Sequence, residues 1–312
     1  MNEITIMRRR EAVEQSEFST DLFSRWTSFI DARPKTVETY TRNIRPFIHF
    51  LLDNGIKRPG REDIVAFRES LSESHKPTTV QSYIMAVKQF FRWTELEGLY
   101  PNIADHVKGA KVDKGFKKDY LTSKQVRKLL ETVDRSTLKG LRDYAILSLM
   151  VTTGLRTVEV MRANIEDMRT VADFTALFIQ GKGHEERTEY VKVEPIIEEA
   201  IREYLRARGT AKGKEPLFAS IAHRNGGERM TTRSISRIAK ENMVEAGFNS
   251  DRITAHTLRH TTATLNLLNG GTPEETRQLL RHSNINTTLI YAHNLERAKN
   301  NSEARVTKAI LG

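Results

Sequence analysis

The chain has 312 residues, of which 38% are hydrophobic, enough to bury one large core or two modest ones, and its length favours two domains. Lys and Arg number 50 against 40 Asp and Glu, and this formal net charge of +10 favours a polyanionic partner. Nucleic acid comes ahead of an anionic membrane surface, with an ordinary basic protein as the alternative. The absence of cysteine excludes disulfides, thiolate catalysis and cysteine-bound zinc.

No targeting or membrane segment stands out in the sequence. Residues 1–16 are polar, with no apolar stretch of the kind that a signal peptide needs. No run of about 18 apolar residues occurs anywhere in the chain. We therefore expect residues 1–16 to form a flexible tail and the protein to be cytoplasmic, with no membrane partner.

Residues 17–105 carry apolar side chains at helical spacing, and no segment in this range alternates like a strand. Four helices are predicted: residues 17–30, a helix after Thr36, a helix near 62–74, and one that opens with the capping box Thr78-x-x-Gln81. This pattern indicates a compact four-helix domain.

Residues 106–119 combine lysines and glycines with few apolar side chains. This composition predicts an extended basic linker that contacts a phosphate backbone, although a solvated hinge without a partner would look the same. The candidate DNA-binding lysines are Lys108, Lys111, Lys114, Lys117 and Lys118.

Residues 120–312 indicate a second domain of mixed α+β structure. The helix signals are the capping boxes Thr122-x-x-Gln125 and Thr272-x-x-Glu275, an apolar helix at 138–153, amphipathic helices at 195–208 and 232–246, and a helix capped by Thr254. Residues 174–180 and 187–193 alternate like strands around a glycine-rich turn and predict a β-hairpin. A separate tail helix is expected from about residue 294. The fold class is therefore mainly α with a small β-sheet or hairpin.

Arginine and histidine side chains collect around one tyrosine near the end of the chain. Guanidinium groups bind phosphate oxygens, imidazoles move protons, and a phenol can act as a nucleophile. Each residue alone also has an ordinary structural explanation: a solvated polar face, an ion pair between Arg156 and Glu159, an exposed turn lysine, or a packed tyrosine. The candidates are Arg156, Lys182, His256, Arg259, His260, Arg281, His282 and Tyr291.

The order of the motifs is more specific than any one of them. In chain order they are Gly154-Leu155-Arg156, Gly181-Lys182-Gly183, His256-x-x-Arg259-His260, Leu280-Arg281-His282, and Tyr291 nine residues after His282. This set resembles the tyrosine recombinase family, which includes phage and transposon integrases and the Xer resolvases. The resemblance covers the whole chain, with residues 17–105 similar to the family's SAM-like core-binding domain and 120–312 similar to its catalytic domain.

The resemblance implies a role for each matching residue. Tyr291 would attack the scissile phosphate to form a 3′-phosphotyrosine, and Arg156 and Arg259 would hold the non-bridging oxygens. His256 would handle the proton of the nucleophile, and Lys182 would protonate the leaving 5′-oxygen. The remaining roles fall to His282, as a hydrogen-bond donor to the phosphate, and to Glu159, as a supporting acid. Many relatives have glycine where this chain has Arg281, which we expect to be an additional DNA contact.

The sequence has no Asp-x-Asp or His-Glu-x-x-His metal motif and no GxxxxGK[ST] loop, so we expect neither a metal nor another cofactor. The resemblance implies double-stranded DNA at a specific site as partner, and a homo-tetramer on two such sites, with accessory proteins as an option. Val306, Ile310 and Leu311 could dock the C-terminal tail on a neighbouring subunit, or on their own.

Three further interpretations stay open at this point. A type IB topoisomerase shares the phosphotyrosine chemistry but relaxes DNA of any sequence. A DNA-binding regulator could keep the fold without catalysis, although Arg156, Arg259 and Tyr291 are all present. Among recombinases, the sequence does not separate an integrase of a mobile element from a Xer-type resolvase of DNA dimers.

Overall fold

The computed structural model describes residues 24–111, 119–181, 186–209, 213–299 and 301–311. The predicted tail at 1–16 lies outside these residues, as do Lys114, Lys117, Lys118 and Lys182. The chain divides into two compact units, Met1–Gly115 and Phe116–Gly312.

The described part of the first unit contains four helices, as the sequence predicts. They are α1 at residues 24–29, α2 at Pro34–Asp53, α3 at Arg61–Ser72 and α4 at Pro77–Leu96. The predicted capping box at Thr78 and Gln81 is wrong, because α4 already begins at Pro77, with Lys76 in the cap position. Proline suits the first helical residue because its ring presets φ and the missing N–H would have no helical partner there.

Aromatic side chains fill the core of the first unit. The ring of Phe47 packs edge-on against Phe67 and Phe91, with centroid distances of 5.1 and 5.9 Å. Val107 is also buried in this core, so the first unit continues past residue 106, where the linker was expected to begin. Lys108, just beyond it, is exposed, and its carbonyl accepts a hydrogen bond from Arg68 Nη1 at 2.9 Å.

The second unit contains helices and one small sheet. Its helices are α5 (Ser123–Thr132), α6 (Leu138–Thr153), α7 (Thr157–Arg162), α8 (Pro195–Arg208), α9 (Thr232–Glu245), α10 (Ala255–Leu268), α11 (Pro273–Leu280), α12 (Asn286–Lys299) and α13 (Ser302–Leu311). Its strands are β1 (Met168–Val171), β2 (Phe174–Ile179) and β3 (Glu189–Val193).

The sheet is antiparallel with the strand order β1-β2-β3. The predicted pairing of β2 with β3 is confirmed, and its register places Leu177 opposite Val191 and Ile179 opposite Glu189. Strand β1 was not predicted. It is only four residues long and its two central residues are exposed, so it lacks the alternation by which a strand is recognised.

Helix α6 lies at the centre of the second unit, where it packs against α8 and α10. Ala145, Ile146, Leu149 and Met150 are almost completely buried, which explains the nearly continuous apolar pattern of this helix. The predicted capping boxes at Thr122 and Thr272 are both present. The core thus sets α10, which carries His256, Arg259 and His260, directly against the end of α6.

The C-terminal helices differ from the prediction of a tail helix from about residue 294. Helix α12 continues without interruption to Lys299, so residues 294–299 belong to the helix that carries Tyr291. The separate tail helix is α13, none of whose residues is buried. Among the described residues, no helix is long and apolar enough to cross a membrane.

Candidate active site

A tight turn after α6 places Arg156 at the site. Gly154 ends the helix in the left-handed region, with φ +64°, and a Cβ at this position would collide with the Leu280 side chain. Glycine is the residue that meets both requirements. The chain then becomes extended and presents Arg156 as the cap residue of α7.

The carboxylate of Glu159 organises two arginines. Arg156 donates from its backbone N to Oε2 and from Nη1 to Oε1, each at 2.7 Å, and Arg281 donates from Nη2 to Oε2 at 2.9 Å. Burial alone would raise the pKa of Glu159, but Arg281 and Arg156 outweigh it and hold that pKa below its usual range. Glu159 is therefore an ionised buried anchor for both guanidinium groups.

Arg259, in the second turn of α10, connects the ends of two other helices. Its guanidinium donates from Nη1 to the Gly154 carbonyl and from Nη2 to the Leu280 carbonyl. The side chain is buried, and this burial, together with the nearby charges of Arg156 and Arg281, lowers its pKa to about 9. At neutral pH it remains a cation, held by the two backbone carbonyls.

The two histidines of α10 take different places. His256 is exposed at the start of the helix, and its ring meets the edge of the His260 ring with a centroid distance of 4.4 Å. His260 is buried, and its Nδ1 is hydrogen-bonded to the hydroxyl of Tyr291. The resemblance implied that His256 handles the proton of Tyr291, and that role stays a prediction, whereas the hydroxyl is hydrogen-bonded to His260 in the structure. Their four-residue spacing, which puts both on one helix face, was the available signal.

Tyr291 lies in α12 with its ring packed among Ala263, Leu280 and Leu267. Burial raises the pKa of its hydroxyl to about 12, although the nearby charge of Arg259 acts in the opposite direction. The phenol is consequently neutral at neutral pH, and it must give up a proton before or during any attack.

His282 is buried just after α11. Its Nδ1 is hydrogen-bonded to Thr288 Oγ1 at 2.8 Å. Burial and the charges of Arg259 and Arg156 lower its pKa to about 4, so the ring is neutral at physiological pH. When Thr288 donates to Nδ1, the ring proton sits on Nε2 and can be donated to an anion.

A groove with a volume of about 860 Å³ opens beside these groups, between the starts of α7, α9 and α10. Arg156 and His256 line one part of it. Helix α9 contributes Arg233, Arg237 and Lys240, while Asp251 supplies an acidic side chain. The arginine and lysine side chains of the lining outnumber its one acidic side chain, which suits a binding surface for a polyanion.

Comparison with known proteins matches this arrangement to a family. Residues 119–297 match the phage integrase family, and residues 22–99 match the N-terminal SAM-like domain of phage integrases. The chain belongs to the phage integrase family of tyrosine recombinases. The predicted family and fold class are thereby confirmed.

Three relatives illustrate the similarity. Tyrosine recombinase XerD of Listeria monocytogenes is 30% identical over 266 residues, which cover 83% of this chain and 87% of that protein. A crystal structure of the XerH site-specific recombinase bound to palindromic difH substrate superposes with a TM-score of 0.72 at 22% identity, covering 90% of this chain and 84% of that one. A lambda integrase tetramer bound to a Holliday junction gives 0.65 at 17% identity, covering 85% and 77%.

The predicted DNA contacts of this recombinase fall in both units. The Arg281 guanidinium lies inside against Glu159, with its side chain only 6% exposed, and its expected DNA contact stays a prediction. Lys108 and Lys111 are exposed and belong to the first unit. Both stay predictions, and Lys182 lies outside the described residues.

No group of three or more His, Asp or Glu side chains in the described part of the recombinase is placed to hold a metal ion. The expectation of metal-free chemistry stays a prediction. The site brings together a neutral tyrosine, a neutral histidine and two arginines. The Glu159 carboxylate holds Arg156, and backbone carbonyls at the ends of α6 and α11 hold Arg259.

Proposed function

We propose that this chain is a site-specific DNA recombinase in which Tyr291 is the nucleophile. Membership of the tyrosine recombinases makes it an enzyme that cleaves and rejoins DNA. The observation that carries the residue assignment is the burial of the Tyr291 hydroxyl against His260, within reach of the charge of Arg259.

In the cleavage step, Tyr291 Oη attacks the scissile phosphorus and forms a 3′-phosphotyrosine bond while the bond from phosphorus to the 5′-oxygen breaks. Negative charge accumulates on the non-bridging oxygens, and fixed cations are the main source of stabilisation for such a transition state. Arg156 and Arg259 supply those cations. Their support from Glu159, Gly154 and Leu280 means that little reorganisation is required when the phosphate arrives.

Two protons move in this step. The tyrosine loses one, and His260, which is hydrogen-bonded to its hydroxyl, is placed to accept it, with His256 in ring contact with His260. The leaving 5′-oxygen gains one from Lys182, as the family resemblance implies. His282 keeps its own proton and donates a hydrogen bond to the phosphate from Nε2.

Rejoining reverses the chemistry. A 5′-hydroxyl attacks the phosphotyrosine, which preserves the energy of the broken bond, so no nucleotide hydrolysis is required. We propose a specific duplex site and a homo-tetramer on two sites, in the cytoplasm, with α13 as a contact to a neighbouring subunit. The absence of buried residues in α13 supports that contact, because Val306, Ile310 and Leu311 are 56%, 73% and 81% exposed.

The experiment is a covalent trap in the presence of EDTA. The full chain is incubated with nicked fragments of its source genome and denatured, and the DNA that stays attached is sequenced. We expect adducts at one or a few sites with the wild-type chain and none with Tyr291→Phe, which should still bind the same DNA.

Each other outcome identifies a different function. Adducts scattered over all sequences would favour a type IB topoisomerase over a recombinase. An adduct formed by Tyr291→Phe would show that another residue is the nucleophile. Tight binding without any adduct would overturn the proposal in favour of a DNA-binding regulator.

A further inference from the structure

Arg281 occupies a backbone position that ordinarily suits glycine. It ends α11 in the left-handed region, with φ 55° and ψ 49°, and its backbone N donates to the Gln278 carbonyl at 3.0 Å. Side chains with a Cβ are disfavoured in this conformation. An arginine here therefore needs a compensating interaction.

The side chain of Arg281 is also buried, which adds a second cost. Nη1 donates to the Leu279 carbonyl at 2.8 Å and Nη2 to Glu159 Oε2 at 2.9 Å. Nε is buried and has no hydrogen-bond partner among the described residues. A buried cation that is incompletely hydrogen-bonded is unfavourable unless it is paired, so the ion pair with Glu159 is what holds this side chain inside.

Glu159 is the residue that Arg281 shares with Arg156. Its Oε1 accepts from Arg156 Nη1, and its Oε2 accepts from both the Arg156 backbone and Arg281. The carboxylate thus connects the end of α11 to the start of α7. Arg281 and Glu159 are 122 positions apart in the chain.

We propose that Arg281 is a positioning residue for DNA cleavage, which holds the Glu159 carboxylate in place and through it fixes Arg156 at the scissile phosphate. The proposal rests on the function proposed above, in which Arg156 binds that phosphate. Arg281 itself need not touch DNA, and this is consistent with its 6% exposed side chain.

The electrostatics of the cluster agree with this geometry. Burial acts to raise the pKa of Glu159, and the charge of Arg281 is the largest influence that opposes it, ahead of each contribution from Arg156. Removing Arg281 should therefore raise the pKa of Glu159. The other charged or titratable groups that face the cluster are Arg259 on α10, Glu189 on β3, His256 and His282.

The test compares variants of Arg281 in the full chain on the DNA site found by the covalent trap. Arg281→Gly fits the left-handed backbone and removes the cation, whereas Arg281→Lys restores a cation. Arg206→Ala is the control for loss of one positive charge, since Arg206 is an exposed residue of α8 paired with Glu199. Binding and single-turnover adduct formation are measured from about pH 5.5 to about pH 8.5.

We expect Arg281→Gly to bind DNA within about twofold of wild type and to form the adduct about 10- to 100-fold more slowly, as a small displacement of a catalytic group produces. The defect should grow as the pH falls, because protonation of Glu159 then releases Arg156. Arg281→Lys should recover most of the rate, and Arg206→Ala should match wild type. In a Glu159→Gln background, Arg281→Gly should cause little further loss, because both act on Arg156 through one carboxylate.

Circular dichroism checks that each variant is folded. If Arg281→Gly is not, Arg281→Gln carries the same expectation, since it removes the charge and keeps a side chain of similar reach. Wild-type rates at every pH in a folded uncharged variant would overturn the proposal. A tenfold or greater loss of affinity with an unchanged rate at saturating DNA would overturn it too, and would make Arg281 a DNA contact.

The failure of this proposal and that of the underlying function look different. A wild-type chain that forms no Tyr291-dependent adduct overturns the recombinase function and the role of Arg281 with it. If the wild-type chain forms the adduct but Arg281→Gly is fully active, or its loss of rate adds in full to that of Glu159→Gln, only the role of Arg281 is overturned.

Discussion

The two units of this chain bury different kinds of side chain. In the first, the largest buried side chains are aromatic, and Phe47, Phe67 and Phe91 pack ring against ring. In the second, the apolar core around α6 gives way at α10 to buried polar groups, among them Arg259 and His260. Apolar burial stabilises a fold directly, whereas a buried cation or imidazole stabilises it only when its hydrogen bonds are complete.

The buried polar groups of the second unit include the candidate catalytic side chains. The Arg259 guanidinium, the His282 ring and the Tyr291 hydroxyl all have pKa values displaced by burial in the direction of the neutral form. Groups with pKa values perturbed by burial in this way are typical of functional sites. Substitutions in the two units should therefore separate into losses of stability and losses of activity.

The largest expected effect is on the stability of the first unit. Phe91→Ala removes a ring that is 0% exposed and contacts Phe47, and it should lower the free energy of unfolding by about 3–5 kcal/mol. The chain has two tryptophans, Trp26 and Trp93, both buried in the first core, so tryptophan fluorescence during urea unfolding reports this unit. Phe29→Ala is the matched control because Phe29 is 46% exposed. Equal losses in both variants would contradict the packing described for this core.

Arg259→Ala should show the opposite behaviour. The variant loses a fixed cation at the phosphate, and adduct formation should slow by about 10²–10³-fold, equivalent to about 3–4 kcal/mol of transition-state stabilisation. DNA affinity should change little, because a chain with 50 Lys and Arg residues is expected to spread its phosphate contacts over many cations. Rates of adduct formation at saturating DNA, with Arg206→Ala as the charge control, provide the measurement. A tenfold loss of affinity without a cleavage defect would rule out the proposed role.

His282 makes the polar interior sensitive to acid. Its pKa falls from 6.5 in the unfolded chain to about 4 in the fold, so protons bind the unfolded state preferentially between these values. The stabilising effect of the neutral ring is therefore complete above pH 6.5 and is lost as the pH falls from 6.5 towards 4, to a total of about 3 kcal/mol.

Unfolding of wild type and His282→Gln at about pH 7 and about pH 4.5, followed by far-ultraviolet circular dichroism, measures this contribution. The wild type should lose more stability between the two pH values than the variant. The tryptophan signal of the first unit should be unaffected by the substitution, since His282 lies in the second. An identical pH dependence in both proteins would show that the ring is not held neutral.

The same contrast explains which features could be predicted from the sequence. Helices α2 and α3 follow from the spacing of apolar residues, because their burial is a property of one helix face, and α6 follows from its nearly continuous apolar pattern. The motif order led to Arg156, Arg259 and Tyr291, and the structure brings them together. Strand β1 is too short for a periodic signal, and the start of α4 depends on Pro77 instead of a side-chain cap.

The sequence pattern could not predict contacts between segments that are distant in the chain. His260 meets Tyr291 only because α10 packs against α12, and Arg281 meets Glu159 only because the end of α11 reaches the start of α7. The sequence marked His260 and Arg281 as chemically capable residues. The resemblance implied that His256 handles the proton of Tyr291, and Arg281 was expected to contact DNA. The sequence alone does not show that the distant segments of Tyr291 and Glu159 reach His260 and Arg281.

The smallest expected effect tests whether the rate of adduct formation depends on a single hydrogen bond in the polar interior. Thr288→Val keeps the size of a completely buried side chain and removes the Oγ1 that pairs with His282 Nδ1 at 2.8 Å. Such a bond contributes about 1 kcal/mol, so adduct formation should slow by roughly fivefold to tenfold as the ring loses its preferred tautomer. DNA binding and tryptophan fluorescence should remain unchanged. Thr287→Val, the exposed neighbour in α12, is the control, and equal rates in the two variants would mean that Thr288 only fills space.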